Sequence, residues 1–97
     1  LKLFDEENMC NYYYDSVDYS KKLIIEYHGV GFHPKENELD WIGVYGETYE
    51  SKRKKDLRKE EIAILNGYRY VAIWSDESLY EACKKIEEFL DEEDKKY

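Results

Sequence analysis

The chain has 97 residues, 42% of them hydrophobic and 39% charged, with a formal net charge of −8. That length accommodates one domain, and the composition excludes an intrinsically disordered segment. No apolar run approaches the roughly 18 residues of a membrane span, and the acidic balance argues against a domain that grips nucleic acid by bulk charge.

Residues 1–10 carry little pattern and are expected to be a loose lead-in. The opening Leu1-Lys2-Leu3-Phe4-Asp5 reads as a cut through a longer protein. Residues 11–17, rich in Tyr, are expected to form a first strand, and Leu23–His28 a second, after a turn at Tyr19-Ser20-Lys21. On the second strand Leu23, Ile25 and Tyr27 face one way, and Ile24, Glu26 and His28 the other. Gly29 and Gly31 free the backbone to turn. Residues 32–46 read as a loop that includes Pro34. Its Trp41, Ile42, Val44 and Tyr45 require part of it to pack.

Residues 49–66 read as a helix, with Leu57, Ile62, Ala63, Ile64 and Leu65 forming a late apolar stripe. Asn66-Gly67 is its stop, Gly67 taking the left-handed position. Residues 68–74 form a buried third strand. Ser75 or Asp76 then caps a final helix whose Leu79, Cys83, Ile86 and Leu90 share one face. Cys83 on that face reads as a small core residue. Cys10 and Cys83 have no metal or disulfide spacing, which fits an intracellular, cytoplasmic protein with reduced thiols. The order strand, strand, helix, strand, helix implies an α/β or α+β fold with helices against a small mixed sheet. Eleven tyrosines suit a half-buried sheet face or a contact surface.

Glu26 and His28 lie on one strand face, about 7 Å apart. Asp15 precedes them on the neighbouring strand. If those strands pair antiparallel, two carboxylates and an imidazole meet, a set that can hold Mg²⁺ or Mn²⁺ and activate water. The bland alternative is a solvated polar strand edge. His28 and His33 flank a Gly-rich turn and could instead hold zinc with Asp15 or Glu26, but no Cys pair lies near them. Lys52, Arg53, Lys54, Lys55, Arg58 and Lys59 form a basic stretch, whereas the acids concentrate towards the C-terminal helix, so a basic face and an acidic face are expected. Asp56 inside the basic stretch is either half of an intrahelical ion pair or a carboxylate at the rim of a phosphate-binding surface.

The run from Asp15 to His33, with its Glu26-Tyr27-His28-Gly29 step, resembles the core of the very-short-patch-repair mismatch endonucleases. So does the run from Lys55-Asp56 through Leu65-Asn66-Gly67-Tyr68-Arg69 to Trp74. Homing endonucleases of the EDxHD type, built on the PD-(D/E)xK nuclease fold, are similar in the same places and match better. The resemblance implies a single nuclease domain, residues 1–97, from a longer chain whose DNA-recognition domain lies elsewhere. It also implies double-stranded DNA as substrate, no membrane partner, a homodimer as one option for the full-length protein, and a bacterial or phage-like setting.

Position by position, the resemblance implies Asp15 as the main Mg²⁺ (or Mn²⁺) ligand and the Tyr27 carbonyl as another. Glu26 joins them as a ligand on the pattern of the wider superfamily. His28 and His33 are the proton-handling candidates, with His28 expected to matter more because it sits beside Glu26. Asp56 matches a late catalytic Asp, and Lys52, Arg53, Lys55, Arg58 and Lys59 would hold DNA phosphates. The family's first Glu comes from an upstream helix, for which only Glu6 or Glu7 is available. The alternatives are a mismatch- or structure-specific nicking enzyme, or a non-catalytic α/β interaction module.

Overall fold

The computed structural model describes residues 1–14 and 16–94. Among them the elements run β1 (Lys2–Asp5), β2 (Cys10–Tyr13), β3 (Ser16–Asp18), β4 (Leu23–His28), α1 (Tyr49–Leu65), β5 (Arg69–Trp74) and α2 (Leu79–Asp94). β1 and β2 form an antiparallel two-stranded sheet. β3, β4 and β5 form a mixed sheet in that order, antiparallel then parallel. The fold is thus a small α+β domain with a mixed central sheet and helices, as the element order implies.

Residues 1–10 are not a loose lead-in. They form most of a hairpin, its turn closed by Asp5 Oδ1, which accepts from the backbone N–H groups of Glu7 and Asn8 at 3.1 and 3.2 Å. The expected single strand over residues 11–17 is two strands in two sheets: β2 ends at Tyr13 and β3 begins at Ser16. The hairpin is fixed to α1 through Asp5, which has no exposed surface. Arg58 Nε and Nη2 donate to its two oxygens at 2.8 and 2.7 Å. Such a bidentate pair satisfies a charge that could not otherwise be buried.

β4 spans the expected residues and lies at the centre of its sheet. Its parallel partner β5 requires a long crossover, which contains α1. The register pairs Ile24 with Tyr70, Glu26 with Ala72 and His28 with Trp74, so these six side chains share one sheet face. Ile24, Tyr70, Tyr14 and Ala63 make the core cluster, and Leu23, Ile62 and Val71 are also buried. The expected stripe on α1 is narrower than its sequence implied: Leu57, Ile64 and Leu65 are exposed, and Ile62 and Ala63 carry the contact.

Thr48 caps α1, its side chain accepting from Ser51 N at 3.3 Å, and Gly67 takes the left-handed position with φ +85°. The cap of α2 is Ser78, not Ser75 or Asp76. Glu77 holds the intervening turn by accepting from Trp74 N at 2.9 Å, and Ser78 Oγ accepts from Glu81 N at 3.1 Å. Cys83 is exposed rather than in the core, and Leu79 is 82% exposed. Among the described residues no helix is long and apolar enough to cross a membrane.

Candidate functional site

The Gly29 carbonyl accepts from the N–H groups of both Phe32 and His33, each at 2.9 Å, and this tight turn carries the chain back over the end of β4. A side chain at position 29 would meet the Phe32 ring at 3.2 Å, so Gly29 permits the turn to close. As a result the His33 ring stacks on the His28 ring, with centroids 4.1 Å apart and planes within 7°. The Trp74 edge lies against His28 from β5, at 5.0 Å. His28 is 7% exposed, and its Nδ1 is buried with no hydrogen-bond partner. Burial, with the charge His33 can carry beside it, pushes the His28 imidazole down to about 4, so it is neutral at neutral pH.

Helix α1 supplies the third member. Its Asp56 is buried, and Oδ2 lies 2.9 Å from His33 Nδ1 while Lys52 Nζ lies 3.3 Å from Oδ1. Burial alone would raise the Asp56 carboxyl. The His33 bond and the positive groups around it prevail and hold it below its ordinary value. An ionised carboxylate can only accept, so His33 Nδ1 carries the proton and a neutral His33 keeps its lone pair on Nε2. One ligand-capable atom from each of His28, His33 and Asp56 lies within 4.8 Å of the others.

Glu26 is two residues before His28 on the same face. Its Oε2 is 3.3 Å from Lys59 Nζ, and its Oε1 is buried without a partner. Lys59 also lies over the Tyr14 ring, and its carbonyl accepts from the Tyr14 hydroxyl at 2.6 Å. Tyr27 lies between Glu26 and His28 with its ring exposed. Asp15, the expected main metal ligand, lies outside the described residues. A groove of about 620 Å³ opens beside the cluster between α1 and α2, with His28, Asp56, Arg53, Glu60, Trp74 and Glu77 among its walls. Burial raises the Glu60 carboxyl there.

The structure thus gathers Glu26, His28, His33 and Asp56, and distributes the expected phosphate-binding residues differently. Lys52 pairs with Asp56, Lys55 with Glu47 at 2.7 Å, Arg58 with Asp5, and Lys59 with Glu26. Arg53 faces the groove. The basic stretch is therefore interleaved with acids instead of forming a separate basic face. Sequence reasoning missed Trp74 as a wall of the site. Its parity with Tyr70 and Ala72 on β5 was the available signal. No family model, curated protein or solved structure matches the chain.

Proposed function

We propose that this chain is a metal-dependent DNA endonuclease domain of the EDxHD homing type. The observation that carries this reading is the 2.9 Å pair of His33 and Asp56, stacked on a neutral His28 beside the partly buried Glu26. The runs from Asp15 to His33 and from Lys55 to Trp74, which suggest the family, supply these groups.

The unpartnered buried Oε1 of Glu26 fits an oxygen-seeking cation, and Asp15, Glu26 and the Tyr27 carbonyl would hold Mg²⁺ or Mn²⁺. Such an ion, when bound, supplies Lewis acidity at the scissile phosphate. The remaining work falls to the protein's side chains. His33 Nε2 takes the proton of the attacking water, and Asp56 fixes the tautomer and stabilises the imidazolium that forms. This moves the leading proton-transfer role from His28 to His33, because His33 is the histidine with an orienting carboxylate. His28 supplies the stacked surface that holds the His33 ring in place. Lys59, paired with Glu26, and Arg53, in the groove wall, are the cations that would hold phosphate oxygens.

A supercoiled-plasmid assay with Mg²⁺ tests the reading, using the protein alone and fused to a sequence-specific DNA-binding domain. Open circles should accumulate and vanish with a chelator. Plasmid left intact by both forms would overturn the proposal. The exposed Phe32, Leu39, Ile42, Val44 and Tyr45 of the loop after β4 favour, as a second reading, a module that docks on another protein. That reading requires no nicking and no divalent-cation binding.

A further inference from the structure

His28, His33 and Asp56 make a mixed donor set: two imidazole nitrogens and one carboxylate. Mg²⁺ prefers an all-oxygen shell, whereas imidazole suits Zn²⁺ and its neighbours in the transition series. We propose that His28, His33 and Asp56 form a second cation site, for a borderline transition ion such as Zn²⁺, distinct from the oxygen ligands assigned to Mg²⁺.

Three observations support it. One ligand atom from each residue lies within 4.8 Å of the others, drawn from β4, the following turn and α1. Ligands of a tetrahedral Zn²⁺ sit about 2.0–2.2 Å from the ion, and so about 3.3–3.6 Å from one another. His33 Nδ1 and Asp56 Oδ2, at 2.9 Å, are already close to that separation. Finally, His28 is more than nine-tenths buried and its Nδ1 has no partner, an arrangement that leaves a costly polar atom unsatisfied.

The cation takes the place of the proton between His33 Nδ1 and Asp56 Oδ2, and in neutral His33 that proton moves through solvent to Nε2. The parallel stack cannot aim both rings at one ion, so His33 turns on its side-chain bonds. It lies on a glycine-flanked turn and is partly exposed, which permits the movement. Lys52 remains on Asp56 Oδ1 as the outer partner of the ligating carboxylate. Three protein ligands leave a fourth position open to water.

A regulatory consequence rests on the nuclease reading. With the ion on Nδ1, His33 carries its proton on Nε2 and has no lone pair for the attacking water. Zn²⁺ should therefore inhibit Mg²⁺-dependent cleavage.

Co²⁺, the spectroscopic analogue of Zn²⁺, tests the site. Titrated into the protein in Mg²⁺ buffer, it should give the intense visible bands of tetrahedral Co²⁺, saturating at one equivalent. Asp56→Asn should weaken binding about tenfold or more, His33→Gln should abolish the bands, and Glu26→Gln should retain them. The protein has only two histidines. Two sets of paramagnetically shifted imidazole protons in the unmodified protein would therefore identify both ligands even if a variant misfolds. Absent bands, the weak spectrum of six-coordinate Co²⁺, or bands surviving His33→Gln would overturn the site. Co²⁺ bands without Mg²⁺-dependent nicking would keep the site and remove the nuclease reading, and nicking without bands would do the reverse. Nicking undiminished by saturating Zn²⁺ would remove the inhibitory role.

Discussion

His33 and Asp5 each meet a charged partner from α1, with opposite consequences. His33 is partly exposed, and beyond its pair with Asp56 it lies against the His28 ring rather than deep in the core. His33→Gln should therefore leave the thermal midpoint nearly unchanged and, on the nuclease proposal, lower nicking about 100-fold or more, the range for losing a general base. Parallel melting and cleavage assays check this; a large fall in the midpoint would make His33 structural. Asp5 is the opposite case. Its hydrogen bonds from Arg58, above all, hold its carboxyl well below the usual carboxylate range. A depressed folded value means that the unfolded chain binds the extra proton in acid. The stabilisation is therefore complete above about pH 4, the unfolded value, and is lost as pH falls towards the folded one. Melting of the unmodified protein and Asp5→Asn across pH should show a constant gap above about pH 4 and a narrowing gap below it. Asp5→Ala should lower the midpoint at neutral pH, because it leaves the Arg58 guanidinium without its bidentate partner.

The two helices are held unequally. α1 buries Asp56, Ile62 and Ala63, is capped by Thr48, and is tied to the hairpin through Arg58 and to Tyr14 through the Lys59 carbonyl. α2 exposes Leu79, Tyr80 and Cys83. Its polar anchor is Lys85, whose Nζ donates to the Ala72 carbonyl at 2.6 Å and pairs with Glu77 at 3.0 Å. Local opening tracks such sparse burial. Amide exchange should thus be faster across α2 than across α1 or β4, and Lys85→Ala should speed it further in α2 alone. Equal protection of both helices would show that α2 is docked more firmly than these contacts imply.

For the molecule as a whole, the net charge of −8 and the pairing of Lys52, Lys55, Arg58 and Lys59 with acids leave little positive surface for DNA. Affinity for duplex DNA rises with the number of phosphates neutralised. The protein alone should bind a short duplex only weakly, in the range of roughly 10⁻⁴ M or worse at physiological salt, and that binding should fall as salt is raised. Fluorescence anisotropy across a salt series checks this. Tight, sequence-selective binding that resists salt would place the DNA reader within these residues. Among the described residues Tyr14, Leu23, Ile24, Pro34, Ile62, Ala63, Tyr70 and Val71 are the buried apolar ones, and the polar clamp at Asp5 joins them in holding the fold.

The elements whose patterns are local were legible in the sequence. β4 combines β-branched residues with an alternation that separates Glu26 and His28 from Tyr27, and α1 and β5 are punctuated by Asn66-Gly67, where the backbone needs a residue that accepts positive φ. The proximity of His28 and His33 was legible too, since Gly29 makes a tight turn possible. The hairpin at residues 1–14 was not, because its acidic Asp5 reads as a loop residue until Arg58, 53 positions later, arrives to neutralise it. Nor could sequence say that Asp56 would meet His33 and that Lys59 would meet Glu26. Those pairings depend on how α1 lies across the β4–β5 face, which is set by the packing of Ile24, Ala63 and Tyr70. Residue types and spacing fixed what chemistry the chain could carry; burial and helix placement decided which of those groups share a site.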